Sequence, residues 1–336
     1  MRYKDLGKTG LKVSVVGFGG IPMQRIDDNQ AKEVIIKAEE KGINFIDTAR
    51  GYSVSEEYIG MALEGRRNKW IIATKSMSRD KESMIRDVNQ SLANLRTEYI
   101  DLYQFHNIKT IDEYNKVLGE GGAYSALQEF KDKGKIKHIG MTSHSLDIIK
   151  LAIESGKFET IMYPYNIVEN QAEEAFRRAK ELEIGVIAMK PIAGGAFREG
   201  TLALKYILKN ENITCAIPGM GKVEEVEENA KVCDVDTELT KDEEEQIKSI
   251  KESLGTEFCR RCGYCGPCPQ NIDIPNIFIF QAYKERYNLS GWAEERYGSL
   301  KATAKDCVEC GACEDKCPYN LPIRKMLKKA RITFNE

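Results

Sequence analysis

The sequence predicts an α/β protein with two parts, a closed parallel (β/α)8 barrel of the TIM type and a smaller, mainly α-helical domain after it. Eight short apolar runs, rich in β-branched and aromatic residues, predict buried strands. Amphipathic stretches with helical periodicity alternate with these runs, as a barrel built from strand–helix units requires. The last third of the chain holds eight of the ten cysteines in two tight groups, which sets it apart from the barrel.

The predicted elements follow one another along the chain in regular order. The eight strands span residues 13–19, 43–48, 70–75, 100–106, 137–142, 160–165, 185–190 and 213–218. The helices between and after them span residues 30–41, 55–64, 80–95, 123–133, 146–154, 170–182, 201–209 and 222–232. A short hairpin over 2–6 and 10–12 would cap the barrel floor. A doubly wound sheet is the alternative, but it usually has fewer strands and a different glycine fingerprint.

The tail of the chain is predicted to be helical. Thr240 and Glu243 form a capping box for a charged helix over 241–254. Further helices are predicted over 272–286, 290–303 and 323–331. We therefore divide the chain into a barrel domain of residues 1–255 and a helical domain of residues 256–336.

Two groups of cysteines in the tail have the spacing of iron–sulfur ligands. The first comb is Cys259, Cys262, Cys265 and Cys268, followed by Pro269, and the second comb is Cys307, Cys310, Cys313 and Cys317, followed by Pro318. In such patterns the fourth cysteine ligates the other cluster. We therefore expect a ferredoxin-like domain with two [4Fe-4S] clusters, one held by Cys259, Cys262, Cys265 and Cys317 and the other by Cys307, Cys310, Cys313 and Cys268. Zinc sites are the main alternative, and disulfides are disfavoured because neighbouring CxxC cysteines usually serve metal or redox chemistry.

Composition argues against several classes of partner. Charged residues make up 30% of the chain, yet the formal net charge is only -2. This balance gives no electrostatic reason to expect a nucleic-acid or membrane partner. The first residues are polar and lack the apolar segment of a signal peptide, and no apolar run reaches the roughly 18 residues that span a bilayer. Together with reduced cysteines, these features predict a cytoplasmic protein.

Four polar residues stand at or just after the ends of predicted strands. Asp47 closes the second strand, Tyr52 follows it, Lys75 closes the third and His106 closes the fourth. The C-terminal ends of barrel strands meet at one mouth, where active sites of this fold lie. A lysine ammonium lowers the pKa of a neighbouring tyrosine, which can then donate a proton near neutral pH. Asp47 would orient the lysine and keep it charged, and His106 would hold a substrate carbonyl by a hydrogen bond.

With these residues in place, the sequence resembles the aldo/keto reductase family from residue 1 to about 235. The resemblance rests on Asp47-Thr48-Ala49 with Tyr52, on Lys75 and His106, and on five further segments. These segments are Gly140-Met141-Thr142-Ser143, Tyr163-Pro164-Tyr165-Asn166, Pro191-Ile192-Ala193-Gly194-Gly195, Ile217-Pro218-Gly219 and Glu228-Asn229. The tail is similar to a subgroup of the family that carries a two-cluster extension.

The resemblance implies reduction of a small carbonyl substrate, an aldehyde or ketone, by hydride transfer from NAD(P)H with Tyr52 as the general acid. The cofactor would lie extended across the barrel mouth. The residues implied to bind it are Gly19 and Gly20 at the nicotinamide, Thr142 and Ser143 at the carboxamide, Pro191, Ala193 and Gly194 at the pyrophosphate, and Lys222, Glu228 and Asn229 at the adenosine end.

Two positions depart from the family pattern. Met162 stands where the family often has a glutamine near the nicotinamide, and a thioether cannot donate a hydrogen bond. Glu225 stands where the family often has an arginine for the 2′-phosphate of NADP. A carboxylate repels a phosphate, which favours NAD or a flavin, although Lys222 can compensate. NAD and NADP therefore both stay open.

Clusters and a hydride site on one chain leave three functions open. Clusters carry single electrons and a nicotinamide carries two as a hydride, whereas a flavin can do both. The first function is a carbonyl reductase whose clusters transfer electrons or are structural. The second is an electron-transfer oxidoreductase in which a flavin in the barrel is linked through the clusters to a ferredoxin-like carrier. The third, a redox-sensing cofactor-binding module, is disfavoured because it would not need Asp47, Tyr52, Lys75 and His106 together.

Overall fold

The computed structural model describes residues 1–193, 200–254, 256–286 and 289–336. The described residues cluster into two compact units. The first comprises those of Met1–Asn166, Asn170–Pro191 and Glu199–Leu239, and the second those of Ile167–Glu169, Ile192–Arg198 and Thr240–Glu336. The domain boundary between residues 255 and 256 stays a prediction.

Eight parallel strands form the sheet of the first unit. They are β3 (Phe18–Gly19), β4 (Phe45–Asp47), β5 (Ile71–Ser76), β6 (Ile100–Phe105), β7 (Ile136–Thr142), β8 (Thr160–Pro164), β9 (Gly185–Met189) and β10 (Cys215–Ile217). Each strand pairs with the next one in the chain, from β3 to β10. Parallel bridges from Val16 to Ala216 and from Gly19 to Gly219 join the two ends of the sheet. The predicted (β/α)8 barrel is confirmed.

Helices connect the strands because a parallel crossover must return the chain to the same end of the sheet. They are α1 (Asp28–Glu40), α2 (Ser55–Ala62), α3 (Lys81–Asn94), α4 (Ile111–Leu118), α5 (Ala123–Asp132), α6 (Leu146–Glu154), α7 (Glu173–Glu181), α8 (Gly200–Leu208) and α9 (Val223–Ala230). The side chains of Asp80, Thr110 and Ser145 begin three of them by accepting a backbone N–H three residues later. Helix α4 is an addition to the predicted set.

The N-terminal segment forms the predicted hairpin and uses part of the predicted first strand. β1 (Tyr3–Asp5) pairs antiparallel with β2 (Lys12–Ser14). The predicted strand over 13–19 is therefore divided, and only β3 belongs to the barrel. A Cβ at Gly17, between the two pieces, would lie 2.8 Å from the Phe45 ring. The backbone approaches its neighbours too closely there for any side chain.

The hairpin closes the floor of the barrel. Leu6 and Val13 are fully buried and pack in one cluster with inward-facing residues of the strands such as Leu102. Gly7 has a φ of 57°, and a Cβ there would lie 2.4 Å from the Glu183 carbonyl oxygen, just before β9. This turn requires glycine for its backbone angle and for its close approach.

Helices make up the second unit, which confirms the predicted helical domain. They are α10 (Lys241–Leu254), α11 (Ile274–Arg286), α12 (Ser290–Gly298), α13 (Ala312–Asp315) and α14 (Ile323–Thr333). The helix predicted over 290–303 ends earlier, at Gly298, and a 3-10 turn, Ala304–Asp306, follows. The apolar core of this second unit includes Ile277 and Leu327. Of the described helices in either unit, none is long and apolar enough to cross a membrane.

Candidate functional site

Three of the four predicted catalytic side chains come from neighbouring strands at the C-terminal mouth of the barrel. Asp47 is the last residue of β4, Lys75 is the fifth of six residues in β5, and His106 directly follows β6. Ala73 and Leu102 of the same strands belong to the barrel interior. Because side chains alternate between the two faces of a strand, Lys75 and His106 also face inward.

A buried ion pair forms the centre of this group. The Lys75 ammonium donates to Asp47 Oδ2 at 2.5 Å and to the Thr48 carbonyl oxygen at 2.8 Å. Gln104 Nε2 donates to the other carboxylate oxygen of Asp47 at 3.1 Å. Burial raises the pKa of Asp47 and lowers the pKa of Lys75, while the attraction between the two groups opposes both shifts. Neither side chain is more than 5% exposed, so the pair is fixed in position.

The Tyr52 ring lies close to both basic groups. Lys75 Nζ is 5.2 Å from the ring centroid, and the His106 ring meets Tyr52 edge-on with the centroids 5.8 Å apart. Burial lowers the pKa of His106 to about 3, with further lowering by the charges of Lys75 and Arg79. The imidazole is therefore neutral near pH 7. The four predicted catalytic residues lie together, and their catalytic roles stay predictions.

A second buried carboxylate, absent from the predicted site residues, holds the loop that carries Tyr52. Glu56 is fully buried. Its carboxylate accepts hydrogen bonds from Arg50 Nη1 at 3.0 Å, Thr74 Oγ1 at 2.8 Å and Asn94 Nδ2 at 3.2 Å. Arg50 and Glu56 flank Tyr52 in the sequence, and Thr74 lies in β5. The network therefore ties the loop of Tyr52 to the strand that carries Lys75.

The two glycines predicted at the nicotinamide end lie at the same mouth. Gly19 ends β3, and the N–H of Gly20 donates to the Asp47 carbonyl oxygen at 2.8 Å. The Gly20 carbonyl oxygen accepts from Ser55 Oγ at 3.0 Å. A Cβ at Gly20 would lie 2.8 Å from the Asp47 oxygen. Packing of the backbone thus requires glycine here, and contact with a cofactor stays a prediction.

The two hydroxyls predicted at the carboxamide are buried at the end of β7. Thr142 Oγ1 accepts the N–H of Asn107 at 2.8 Å. The Ser143 hydroxyl donates to the Ile108 carbonyl oxygen at 2.6 Å and accepts the N–H of Ser145 at 2.9 Å. Both hydroxyls therefore order the loops around the mouth. Their binding of a cofactor stays a prediction.

The predicted pyrophosphate residues follow β9. Pro191 and Ala193 are both buried. Pro191 clusters with the first unit and Ala193 with the second. Gly194 lies outside the described residues, so the structure gives no account of it.

The predicted adenosine residues surround the start and end of α9. Lys222 and Glu228 are exposed, and Asn229 is buried. Glu225 Oε2 accepts the backbone N–H of Gly221 at 2.6 Å and of Lys222 at 3.2 Å. A carboxylate of the chain itself therefore occupies the positive N-terminal end of this helix, where anions are stabilised.

Four cysteines line one cavity in the second unit. Its wall includes Cys259, Cys262 and Cys265 of the first comb and Cys317 of the second. These are the four ligands predicted for one cluster. Burial raises the pKa of the Cys265 thiol to about 12 and of the Cys259 thiol to about 11. Because thiolates are the ligand form, positive iron would supply the stabilisation that burial removes, and four thiols around one cavity fit a [4Fe-4S] cluster.

The other four cysteines are arranged around the second comb. Cys313 lies close enough to Cys307 and Cys268 for their charges to interact, and Cys310 is exposed. All ten cysteines of the chain lie in its described part and are free thiols. Both ligand sets stay predictions.

Comparison with known proteins gives two domain matches. Residues 15–201, more than half of the chain, match the Aldo/keto reductase family. Residues 258–322 match a 4Fe-4S dicluster domain. The matched ranges contain the group around Lys75 and all eight cysteines of the two combs.

Individual relatives agree with these matches. The uncharacterized oxidoreductase YqkF of Bacillus subtilis is 27% identical over 304 residues, covering 75% of this chain and 96% of the relative. L-galactose dehydrogenase of Arabidopsis thaliana is 28% identical over 280 residues, covering 68% of this chain and 87% of the relative. The holo form of the aldo-keto reductase AKR11C1 from Bacillus halodurans has a TM-score of 0.66 at 27% identity, covering 74% of this chain and 96% of that structure.

Substitution Glu56→Gln should lower the free energy of unfolding by roughly 3 kcal/mol, because it removes the buried partner of an ion pair with Arg50. Urea unfolding of the two proteins measures the difference. Glu57→Gln is the matched control, since Glu57 is exposed on the same helix. Equal losses of stability in both variants would contradict the role assigned to the Glu56 network.

Proposed function

The chain belongs to the aldo/keto reductase family and carries a 4Fe-4S dicluster domain, and from this premise we propose that it reduces a small aldehyde or ketone by hydride transfer from NAD(P)H. The observation that carries the proposal is the grouping of Asp47, Lys75, Tyr52 and His106 at one mouth. A bound nicotinamide would supply the hydride. The chain would supply a proton and hold the carbonyl in place.

Tyr52 is the proposed proton donor to the carbonyl oxygen. The Lys75 charge beside its ring favours the phenolate that remains when the proton leaves. Asp47 keeps Lys75 charged, since an unpaired ammonium at this depth would lose its proton more readily. This arrangement supports general acid catalysis by the tyrosine.

Neutral His106 is proposed to orient the carbonyl group. With a pKa of about 3, its ring can both donate and accept a hydrogen bond near pH 7. Its Nδ1 is buried and has no hydrogen-bond partner among the described residues. A buried polar atom left unpaired is costly, so a ligand that pairs with the ring would gain stabilisation.

The proposed cofactor is NADH in preference to NADPH. Glu225 bonds to two backbone N–H groups at the start of α9. Those groups would otherwise attract a phosphate, and the carboxylate repels one instead. Lys222, Glu228 and Asn229 remain the proposed contacts of the adenosine end.

The two combs are proposed to hold two [4Fe-4S] clusters with the crossed ligand sets given above. The shared cavity of Cys259, Cys262, Cys265 and Cys317 supports the first set. The exposed position of Cys310 supports exchange of electrons between the second cluster and a ferredoxin-like carrier. Reduced thiols at all eight positions favour a cytoplasmic location.

A second candidate is an electron-transfer oxidoreductase with a flavin in the barrel. The observation that favours it is the presence of a dicluster domain on a two-electron enzyme fold, because a flavin converts between one-electron and two-electron steps. Flavin in anaerobically purified protein would support this candidate. Aldehyde turnover with NADH in flavin-free protein would support the first.

Replacing Tyr52 by phenylalanine removes the proposed proton donor and keeps the ring. Carbonyl reduction should fall by roughly 100-fold or more, the scale of a lost general acid. Steady-state rates of aldehyde reduction measure the loss. Tyr3→Phe is the control, because the Tyr3 hydroxyl bonds to Gly42 in the hairpin region and lies outside the mouth. Full activity in Tyr52→Phe would exclude the proposed role.

Separate titrations with NADH and NADPH test the cofactor proposal. The native protein should bind NADH more tightly, and Glu225→Gln should tighten NADPH binding by about tenfold, since a charge of the same sign is removed from the phosphate site. Glu224→Gln changes an exposed charge one residue away and should leave the preference as it is. Equal or tighter binding of NADPH by the native protein would overturn the assignment of Glu225.

Iron and sulfide assays of anaerobically purified protein test the cluster ligands. Cys313→Ser should lose about half of the iron, because Cys313 serves one cluster of two. Cys233→Ser, a half-buried cysteine outside both combs, should keep the native iron content. The same iron content in all three proteins would remove Cys313 from the ligand set.

A further inference from the structure

The two combs differ in the sign of the charges between their cysteines. The first comb contains Arg260 and Arg261 and no acidic residue, whereas the second, from Cys307 to Cys317, contains three acidic residues and one lysine. An added electron makes a cluster more negative, so a nearby positive charge favours reduction and a negative charge opposes it. The surroundings of each cluster therefore affect how readily it accepts an electron.

Arg260 lies in the wall of the cavity that the four cysteines share. Its guanidinium carbon is 4.2 Å from the centroid of the Tyr319 ring. Its Nε donates to the Val168 carbonyl oxygen at 3.0 Å. These contacts hold a permanent positive charge beside Cys262. Water screens such a partly buried charge less than it screens a surface charge.

Glu169 adds a negative charge within the same unit, to which Ile167–Glu169 belongs. It is fully buried, and both of its carboxylate oxygens accept from Arg261 Nη2, at 2.9 and 3.1 Å. The charge of Arg261 acts on Cys259. Glu169 therefore offsets the positive charge of Arg261 at the cavity.

We propose that Arg260 raises the reduction potential of the cluster held by Cys259, Cys262, Cys265 and Cys317, and that Glu169 lowers it by offsetting Arg261. This inference rests on the cluster ligands of the proposed function. The step concerned adds one electron from an external reductant to the cluster. No covalent bond forms or breaks in it, and no proton moves.

The test is a redox titration of the anaerobically purified full chain, with dithionite as reductant and electron paramagnetic resonance as readout. Arg260→Gln should lower the equilibrium constant for reducing one cluster about tenfold, which equals about 59 mV for a one-electron couple. The other cluster should keep its potential. Arg260→Lys retains the positive charge, so the reduction potential of this cluster should stay close to that of the native protein. Glu169→Gln should raise the reduction potential of the same cluster.

Lys329→Gln, at an exposed position of α14, is the control. It should leave the reduction potentials of both clusters unchanged. Iron and sulfide contents establish that each variant carries both clusters. Native potentials in fully loaded Arg260→Gln would overturn the inference and leave the proposed clusters intact. Shifts of the same sign in Arg260→Gln and Glu169→Gln would also overturn it. Absence of iron from the native protein would contradict both the proposed clusters and this inference.

Discussion

The buried pair of Lys75 and Asp47 is the constraint on which the rest of the candidate site depends. Two charges removed from water are stable only when they are paired and when their remaining hydrogen-bonding capacity is used. The Thr48 carbonyl oxygen and the Gln104 amide use that capacity. Both belong to the barrel framework, so the position of the pair follows from strand pairing. Tyr52 and His106 then lie beside a charge that is held in place.

Most of the barrel could be predicted because a parallel strand buried on both faces leaves a continuous apolar run. The apolar run over 13–19 is wrongly predicted as one barrel strand. It contains the end of hairpin strand β2 and the whole of barrel strand β3, and both pieces are apolar. Helix α4 could have been found from Thr110 and Glu113, which have the spacing of a capping box. Its two buried residues, Tyr114 and Val117, also stand three positions apart, the spacing of one helix face.

The candidate catalytic residues could be predicted because the ends of consecutive barrel strands meet in space. Glu56 could not, since it stands beside Glu57 at the start of one helix, and only the tertiary packing decides which carboxylate is buried. Gln104 looks like one more residue of an apolar run. The pair of Glu169 and Arg261 joins positions 92 residues apart, so no local sequence pattern predicts it. The grouping of the cysteines, by contrast, follows from a spacing that cluster chemistry dictates.

The hairpin at the barrel floor separates the stability of the barrel from the chemistry at its mouth. Leu6 and Val13 are fully buried and pack against inward-facing side chains of the strands. In barrels of this fold the floor serves stability and the C-terminal mouth serves the reaction. Substitutions at Leu6 or Val13 would therefore weaken folding and leave the residues of the mouth in place.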